Sequence, residues 1–273
     1  MTPLAWIGVG RIGTPMAERL VSAGYPLTVF DIVPEAMGAL VAKGARAARS
    51  PGEAAAGAQA IFFCVSDGEA VESAAFGPDG VVSRAPKGAL LVDHSTTHPE
   101  LTRAMSRRAA ELDLRWVDAP VSGGILAAKE GNLAAWLGGH REDADRAHAF
   151  IETYAKRINY MGLSGSGQTA KSCNQVIVAN TIAIWGEMLA YAIGNNLDPR
   201  QLIDTLEGSG ADSGVRRTFA KGMANGTFPE LSTRNMIKDL GIITDLANKS
   251  GVSMPISSMS LEHFKAGITR TDF

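Results

Sequence analysis

Residues 4–13, LAWIGVGRIG, decide the fold of this chain. A short apolar run, Leu4–Ile7, leads into glycines at positions 8, 10 and 13, and a helical apolar pattern follows and stops at Gly24. Glycines at these places let the backbone turn tightly and approach a pyrophosphate, whose charge is stabilised at the N-terminus of a helix. The stretch therefore predicts a strand, a phosphate-binding turn and a helix, although the glycines alone would also fit an ordinary βα turn.

The acid that follows the second strand points to the cofactor. Leu27–Phe30 reads as a strand and ends in Asp31, 18 residues after Gly13. A carboxylate there would accept hydrogen bonds from the ribose hydroxyls of adenosine and would repel the 2′-phosphate of NADP. We therefore expect NAD to be preferred, with NADP still possible because Arg11 or a residue distant in sequence could supply a positive charge.

Alternating strands and helices continue to about residue 161, and only helices follow. Apolar runs without alternation are typical of parallel strands that are covered on both faces. The fold class predicted is α/β, a Rossmann-type doubly wound parallel sheet (residues 1–161) followed by an all-α C-terminal domain (residues 162–273), joined by a long interdomain helix. The strands predicted after the first two are 61–65, 89–93, 116–118, 133–137 and 158–161. The helices predicted after the first are 34–43, 98–112, 142–153, 167–194, 199–207, 216–223, 235–250 and 255–266.

Ligands in such sheets bind at the carboxyl ends of the strands. We therefore expect the loops after three strands to face the cofactor, together with a lysine of the C-terminal part. The predicted cofactor-binding residues are Gly8, Val9, Gly10, Arg11, Ile12, Gly13, Asp31, Val65, Ser66, Ser95, Thr96 and Lys238. Lys238 could serve as a second cation in the cleft, but most lysines on helices are simply solvated.

A Ser-Gly-Gly turn forms the candidate substrate site. Ser122, Gly123 and Gly124 could expose successive backbone N–H groups and a hydroxyl to an anion such as a substrate carboxylate. An ordinary turn explains the same residues equally well.

The longest apolar helix carries the candidate catalytic residues. Helical spacing places Lys171, Asn174, Gln175 and Val178 on one face of it. An ammonium beside apolar surface has its charged form disfavoured, so we expect the pKa of Lys171 to fall toward the range useful for proton transfer. The alternative is an exposed lysine near the start of a helix.

Composition narrows the function classes. A net charge of −2 gives no basic excess for nucleic acid or anionic lipid. Cys64 and Cys173 show no pairing pattern, which indicates a reducing compartment and neither a disulfide framework nor a metal site. No signal-peptide pattern opens the chain, and polar residues interrupt the apolar run 176–193, which favours a buried helix over a membrane span. We expect a cytoplasmic protein.

Four ordered motifs carry a resemblance that covers essentially the whole chain: Ile7–Gly13, Asp118–Gly124, Gly165–Asn174 and Lys238–Leu240. Together they resemble the β-hydroxyacid dehydrogenase family, the group of 3-hydroxyisobutyrate dehydrogenase, tartronate semialdehyde reductase and succinic semialdehyde or glyoxylate reductases. His94 is a less usual choice in that family, and the sequence assigns it no consequence.

The resemblance implies an oxidoreductase that transfers a hydride between NAD(H) and a short 3-hydroxy acid or semialdehyde. It implies that Lys171 is the general acid/base, that Asn174 helps to hold the substrate, and that residues 122–124 hold its carboxylate. It places Ser95, Thr96 and Lys238 near the nicotinamide, and it implies a homodimer or homotetramer formed through the helical domain.

Two alternatives stay open. One is an NADP-dependent semialdehyde, glyoxylate or imine reductase on the same fold, although imine reductases usually lack the lysine. The other is a non-catalytic dinucleotide-binding protein, against which the intact lysine, amide and Ser-Gly-Gly set speaks.

Overall fold

A computed structural model describes residues 1–269, apart from the side chains at positions 230, 231, 268 and 269. The chain separates into two compact units, and the division falls between Lys171 and Ser172. The first unit is an α/β unit, and every regular element among the described residues of the second is a helix. The predicted boundary at residue 161 lies at the end of the last strand, before the long helix begins.

The first unit is built on a sheet of nine strands. In chain order they are β1 Leu4–Ile7, β2 Leu27–Phe30, β3 Arg46–Ala47, β4 Ala60–Phe63, β5 Leu90–Asp93, β6 Arg115–Asp118, β7 Val121–Ser122, β8 Leu133–Gly138 and β9 Ala155–Gly162. Their order is β3-β2-β1-β4-β5-β6-β8-β7, with β9 beside β8. Strands β1 to β6 pair in parallel, so the predicted doubly wound sheet is confirmed, and the chain changes direction across the sheet between β1 and β4.

The far side of the sheet adds antiparallel pairs to the predicted doubly wound parallel sheet. Strand β8 runs antiparallel to both β6 and β7, and β9 pairs with β8 in parallel. Sequence pattern could not reveal this, because β7 has only two residues and makes its pairs within a short return of the chain. The sheet is therefore mixed, with a parallel central part that positions the loops of interest.

Alternate residues of the central strands enter two separate cores. Trp6, Phe62 and Val92 belong to the core on one face, whereas Ile61 and Phe63 belong to the core on the other. Since successive side chains of a strand point to opposite faces, a sheet covered on both sides needs continuous apolar strands. This is why β1, β4 and β5 contain almost no polar residue.

Helices of the first unit cover these faces. They are α1 Gly13–Ser22, α2 Gly38–Val41, α3 Pro51–Ala55, α4 Gly68–Phe76, α5 Pro99–Glu111, α6 Gly124–Glu130 and α7 Arg141–Ile151. The predicted helix 34–43 is in fact a 3-10 turn, Pro34–Met37, followed by the single turn of α2. Helices α3, α4 and α6 and strand β3 were not predicted, because each is short and lacks a full apolar period.

The second unit begins within the long helix α8 Ser166–Gly194. It continues with α9 Pro199–Thr205, a π-helical turn Arg216–Ala220, α10 Lys221–Ala224, α11 Glu230–Ser250 and α12 Pro255–Thr269. Helix α11 begins five residues before the predicted start at residue 235, because Pro229 precedes its first turn and the polar residues 232–235 hide the apolar period.

Helix α8 supplies much of the second unit's core. Ile182, Trp185 and Leu189 are buried there, whereas Ile177 and Ile184 on another face are exposed. Among the described residues, α8 alone is long and apolar enough to cross a membrane by length and composition, and core helices of soluble proteins pass the same test.

Candidate active site in the first unit

Two glycines fix the turn between β1 and α1. Gly8 has φ +93°, and a Cβ placed on it would overlap the carbonyl oxygen of Cys64 in the neighbouring chain segment. A Cβ on Gly13 would overlap the carbonyl oxygen of Gly8. These contacts leave room only for glycine, so the turn is tight and α1 starts directly against it.

Gly10 lies at the open side of the same turn. A Cβ built on it would meet no atom within 4 Å, and both Gly10 and Arg11 are exposed. An exposed backbone beside the start of a helix can be approached closely by a phosphate. The residues present thus fit a dinucleotide, with Val9 and Ile12 packed against the core beneath the turn.

Asp31 ties the end of β2 to this turn. Its Oδ2 accepts a hydrogen bond from the N–H of Val9 at 2.8 Å, and its Oδ1 accepts one from the N–H of Val33 at 2.9 Å. Each carboxylate oxygen has a second lone pair with which to accept a hydrogen bond from a ribose hydroxyl. The sequence predicted the bonds from Asp31 to the ribose hydroxyls, but it did not predict the bonds to the N–H groups of Val9 and Val33.

The loops after β4 and β5 are joined to each other. The N–H of Val65 donates to Oγ of Ser95 at 3.0 Å, and the N–H of Ser95 donates to Oδ1 of Asp93 at 2.8 Å. Burial raises the pKa of Asp93 to about 7, although Ser95 and Thr97 donate hydrogen bonds to its carboxyl group. Ser66 is exposed and Thr96 is partly buried in these two loops.

The predicted Ser-Gly-Gly turn joins two elements that were not expected. Ser122 is the last residue of β7, and Gly124 is the first residue of α6. Gly123 has φ +133° and Gly124 has φ +76°, and both are exposed. Only glycine adopts the first of these conformations without strain, so the two glycines are needed for the path of the chain.

Lys171 lies near the start of α8, with only 8% of its surface exposed. Two fully buried side chains, those of Asp118 and Gln168, hold this start of the helix. Asp118 accepts hydrogen bonds from the N–H of Gly165 at 2.8 Å and of Gln168 at 3.0 Å. Burial raises the pKa of Asp118, and these backbone donors act in the opposite direction.

The side chain of Gln168 connects the same turn to the loop after β5. Its Nε2 donates to the carbonyl of Ser95 at 2.8 Å, and its Oε1 accepts from the N–H of Thr97 at 3.1 Å. Lys171 follows Gln168 by three residues, which is about one helical turn. Sequence reasoning missed both Gln168 and Asp118, although their places within the Gly165–Asn174 and Asp118–Gly124 motifs were a usable signal.

Asn174 and Lys238 belong to the second unit. The Nδ2 of Asn174 donates to Oε1 of Gln175 at 2.9 Å, and Nε2 of Gln175 donates to Oδ2 of Asp239 at 2.6 Å. The Nζ of Lys238 lies 3.7 Å from Oδ1 of Asp239. The bond between Gln175 and Asp239 therefore joins helices α8 and α11. Gln175 and Asp239 were not predicted as site residues, but each contacts one that was: Asn174 and Lys238, respectively.

The fold and the glycine turn define the first unit as a Rossmann-type dinucleotide-binding domain. Comparison with known proteins agrees. Residues 3–162 match the family described as the NAD binding domain of 6-phosphogluconate dehydrogenase. Residues 165–271 match the family described as NAD-binding of NADP-dependent 3-hydroxyisobutyrate dehydrogenase.

Relatives that match over nearly their whole length are dehydrogenases of hydroxy acids. A 3-hydroxyisobutyrate dehydrogenase of Pseudomonas aeruginosa is 34% identical over 97% of this chain and 91% of its own length. An NAD-dependent L-serine dehydrogenase of the same organism is 32% identical over 100% of this chain and 96% of its own length. The structure of Mycobacterium tuberculosis 3-hydroxyisobutyrate dehydrogenase with L-serine superposes with a TM-score of 0.86 and 30% identity, covering 98% of this chain and 94% of that one.

The chain belongs to the β-hydroxyacid dehydrogenase family. It is an NAD(P)-dependent oxidoreductase that acts on the CH–OH group of a hydroxy acid.

Proposed function

We propose that the protein oxidises a short 3-hydroxy acid with NAD, or reduces the matching semialdehyde, and that Lys171 is the general acid/base. The observation that carries this proposal is the burial of Lys171, a residue only 8% exposed. It lies one helical turn after Gln168, whose side chain binds the loop following β5. The named relatives act on 3-hydroxyisobutyrate and on L-serine, both of which carry a carboxylate and a 3-hydroxyl group.

The proposed chemistry needs one proton transfer from the chain. Bound NAD would supply the acceptor for the hydride of the hydroxyl-bearing carbon. The amine of Lys171 accepts the hydroxyl proton in oxidation and returns it to the developing alkoxide in reduction. Ser122, Gly123 and Gly124 hold the substrate carboxylate.

Replacement of the lysine tests this role. Lys171→Met keeps the length of the side chain and removes the amine, so we expect kcat to fall by about 10²–10⁴-fold because general acid–base catalysis has that magnitude. The Kd for NAD, measured by fluorescence titration, is expected to stay within about twofold, since the glycine turn is untouched. Unchanged turnover on 3-hydroxyisobutyrate, L-serine and related 3-hydroxy acids would exclude Lys171 from the mechanism.

The preference for NAD is part of the proposal. The carboxylate of Asp31 lies beside the glycine turn, and a negative charge there opposes a 2′-phosphate. The C-terminal match to an NADP-dependent enzyme gives the opposite prediction. The ratio of kcat/KM for NAD and NADP decides between them, and a ratio below one would refute our use of Asp31.

We also propose that two copies pair through the exposed side of α8. Ile177, Ile184 and Tyr191 are spaced seven residues apart and are 67%, 58% and 73% exposed, so they form an apolar stripe on one helix face. Light scattering of the wild type and of Ile184→Glu tests the pairing: the substitution is expected to shift the mass toward that of one chain. A wild type that is monomeric at all concentrations would contradict it.

A further inference from the structure

A histidine that the proposed chemistry does not use lies beneath the carboxyl edge of the sheet. His94 follows β5 directly and is only 3% exposed. Its ring stacks on Phe62, with centroids 5.8 Å apart and planes 12° apart, and on Trp6, at 5.7 Å and 28°. Tyr154 meets it edge-on at 5.5 Å. Three aromatic rings thus hold the imidazole in one plane.

Both ring nitrogens have partners. Nδ1 lies 2.6 Å from the carbonyl oxygen of Ala119, and Nε2 lies 2.8 Å from the hydroxyl of Tyr154. A carbonyl oxygen can only accept, so Nδ1 carries the hydrogen and donates it, while Nε2 of the neutral ring accepts from the tyrosine. Burial lowers the pKa of His94 to about 4, which keeps the ring neutral.

The hydrogen bond from Nδ1 holds the backbone segment that leads to the Ser-Gly-Gly turn. Ala119 is the first residue after β6, three residues before Ser122. The N–H of Ala119 donates to the carbonyl of Asp93 at 2.7 Å, and the carbonyl of Pro120 accepts from the N–H of Trp136 at 3.3 Å. Val121 and Ser122 pair with β8, and His94 adds a side-chain bond to Ala119 ahead of that pairing. Without it the buried carbonyl of Ala119 would lose the imidazole donor.

We propose that His94 is a positioning residue: through the carbonyl of Ala119 it fixes the segment that carries residues 122–124, and thereby sets the affinity of that turn for the substrate carboxylate. This inference rests on the proposed function of the turn. It assigns His94 no contact with the substrate and no proton transfer.

Three variants separate the bond to Ala119 from the other features of His94. His94→Phe keeps a stacking ring and loses both hydrogen bonds. His94→Asn places an amide donor where Nδ1 was, and it loses the stacked ring and the bond to Tyr154. Tyr154→Phe removes that same bond from the other side, so it is the matched control for His94→Asn.

The kinetic result expected is a change in KM alone. His94→Phe raises KM for the hydroxy acid by about tenfold, the usual effect of one buried hydrogen bond left unmade, whereas kcat and the Kd for NAD change by less than about twofold. His94→Asn and Tyr154→Phe keep a KM close to that of the wild type. Equal KM values in His94→Phe and wild type, or an equal rise in all three variants, would overturn the proposal, since a merely structural role lowers stability without this pattern.

Hydrogen exchange tests the same step without turnover. His94→Phe is expected to speed exchange of the backbone amides of residue 119 and residues 121–124 in the NAD-loaded protein, and the other two variants are not. If no hydroxy acid is oxidised by the wild type, the proposed function fails while this readout still decides the positioning. Unchanged exchange in His94→Phe refutes the positioning itself. His94→Met, which also lacks a donor, replaces His94→Phe if that variant does not fold.

Discussion

His94 gives the folded protein a measurable sensitivity to acid. In the unfolded chain the imidazole has its ordinary pKa of 6.5, whereas burial lowers the pKa to about 4 in the fold. Between these values the unfolded chain binds a proton that the folded chain does not, so the stability due to the neutral ring is present above about pH 6.5 and is lost as the pH falls toward about 4. The linkage relation gives a loss of about 2–3 kcal/mol between about pH 7.5 and pH 4.5.

Asp93 works in the opposite direction over the same range. Burial raises its pKa from 3.8 to about 7, so its contribution to stability is present in acid and is lost as the pH rises through about 7. The pH profile of the wild type alone therefore mixes two opposed effects. A comparison with His94→Asn removes the contribution of Asp93, because both proteins contain that carboxyl group.

Urea unfolding of the wild type and of His94→Asn, followed by tryptophan fluorescence at several pH values, measures the difference. The free energy of unfolding of the wild type is expected to fall relative to that of His94→Asn by about 2–3 kcal/mol from about pH 7.5 to pH 4.5. Parallel profiles would show that the ring titrates normally in the fold, and the inferred neutral state of His94 would then be wrong.

Three further substitutions probe the site. Gly10→Ala is expected to leave the melting temperature unchanged, because the added Cβ meets no atom within 4 Å, and to raise the Kd for NAD in a fluorescence titration; an unchanged Kd would contradict the phosphate contact. Gln168→Leu removes the partners of the Ser95 carbonyl and the Thr97 N–H, so calorimetry should record a fall of about 2–4 kcal/mol in the free energy of unfolding, and kcat should fall as well. Unchanged stability and kcat would show that Gln168 does not hold the loop after β5. Asp31→Asn removes the charge near the adenosine ribose and is expected to raise the NADP-to-NAD ratio of kcat/KM by about tenfold, whereas a constant ratio would assign the preference elsewhere.

The parts of the fold that sequence could predict are those with a local pattern. Strands β1, β4 and β5 were recognised because both of their faces are buried, which makes the runs apolar throughout. The turn at Gly8 and Gly13 was recognised because close backbone contacts there admit only glycine. Helix α8 was found to within one residue of its start, since no proline or turn residue interrupts it.

The parts that sequence could not predict depend on pairing at a distance. Strand β7 is two residues long, and its antiparallel partner β8 is specified by the return of the chain through α6. Asp118 and Gln168 are polar residues with partners far away in sequence, so no local period marks them as buried. His94 was noticed only as an unusual residue, because its partners Ala119 and Tyr154 lie 25 and 60 residues away.

Trp6 gives the protein an optical reporter of its own. The indole N–H donates to the carbonyl of Gly8 at 2.9 Å. One of the four tryptophans of the chain is therefore hydrogen-bonded to the glycine turn that is proposed to bind the pyrophosphate. Indole emission depends on such hydrogen bonds, and a chain that keeps only this tryptophan would signal dinucleotide loading by a change in its spectrum. Loading could then be followed in real time without label, substrate or turnover.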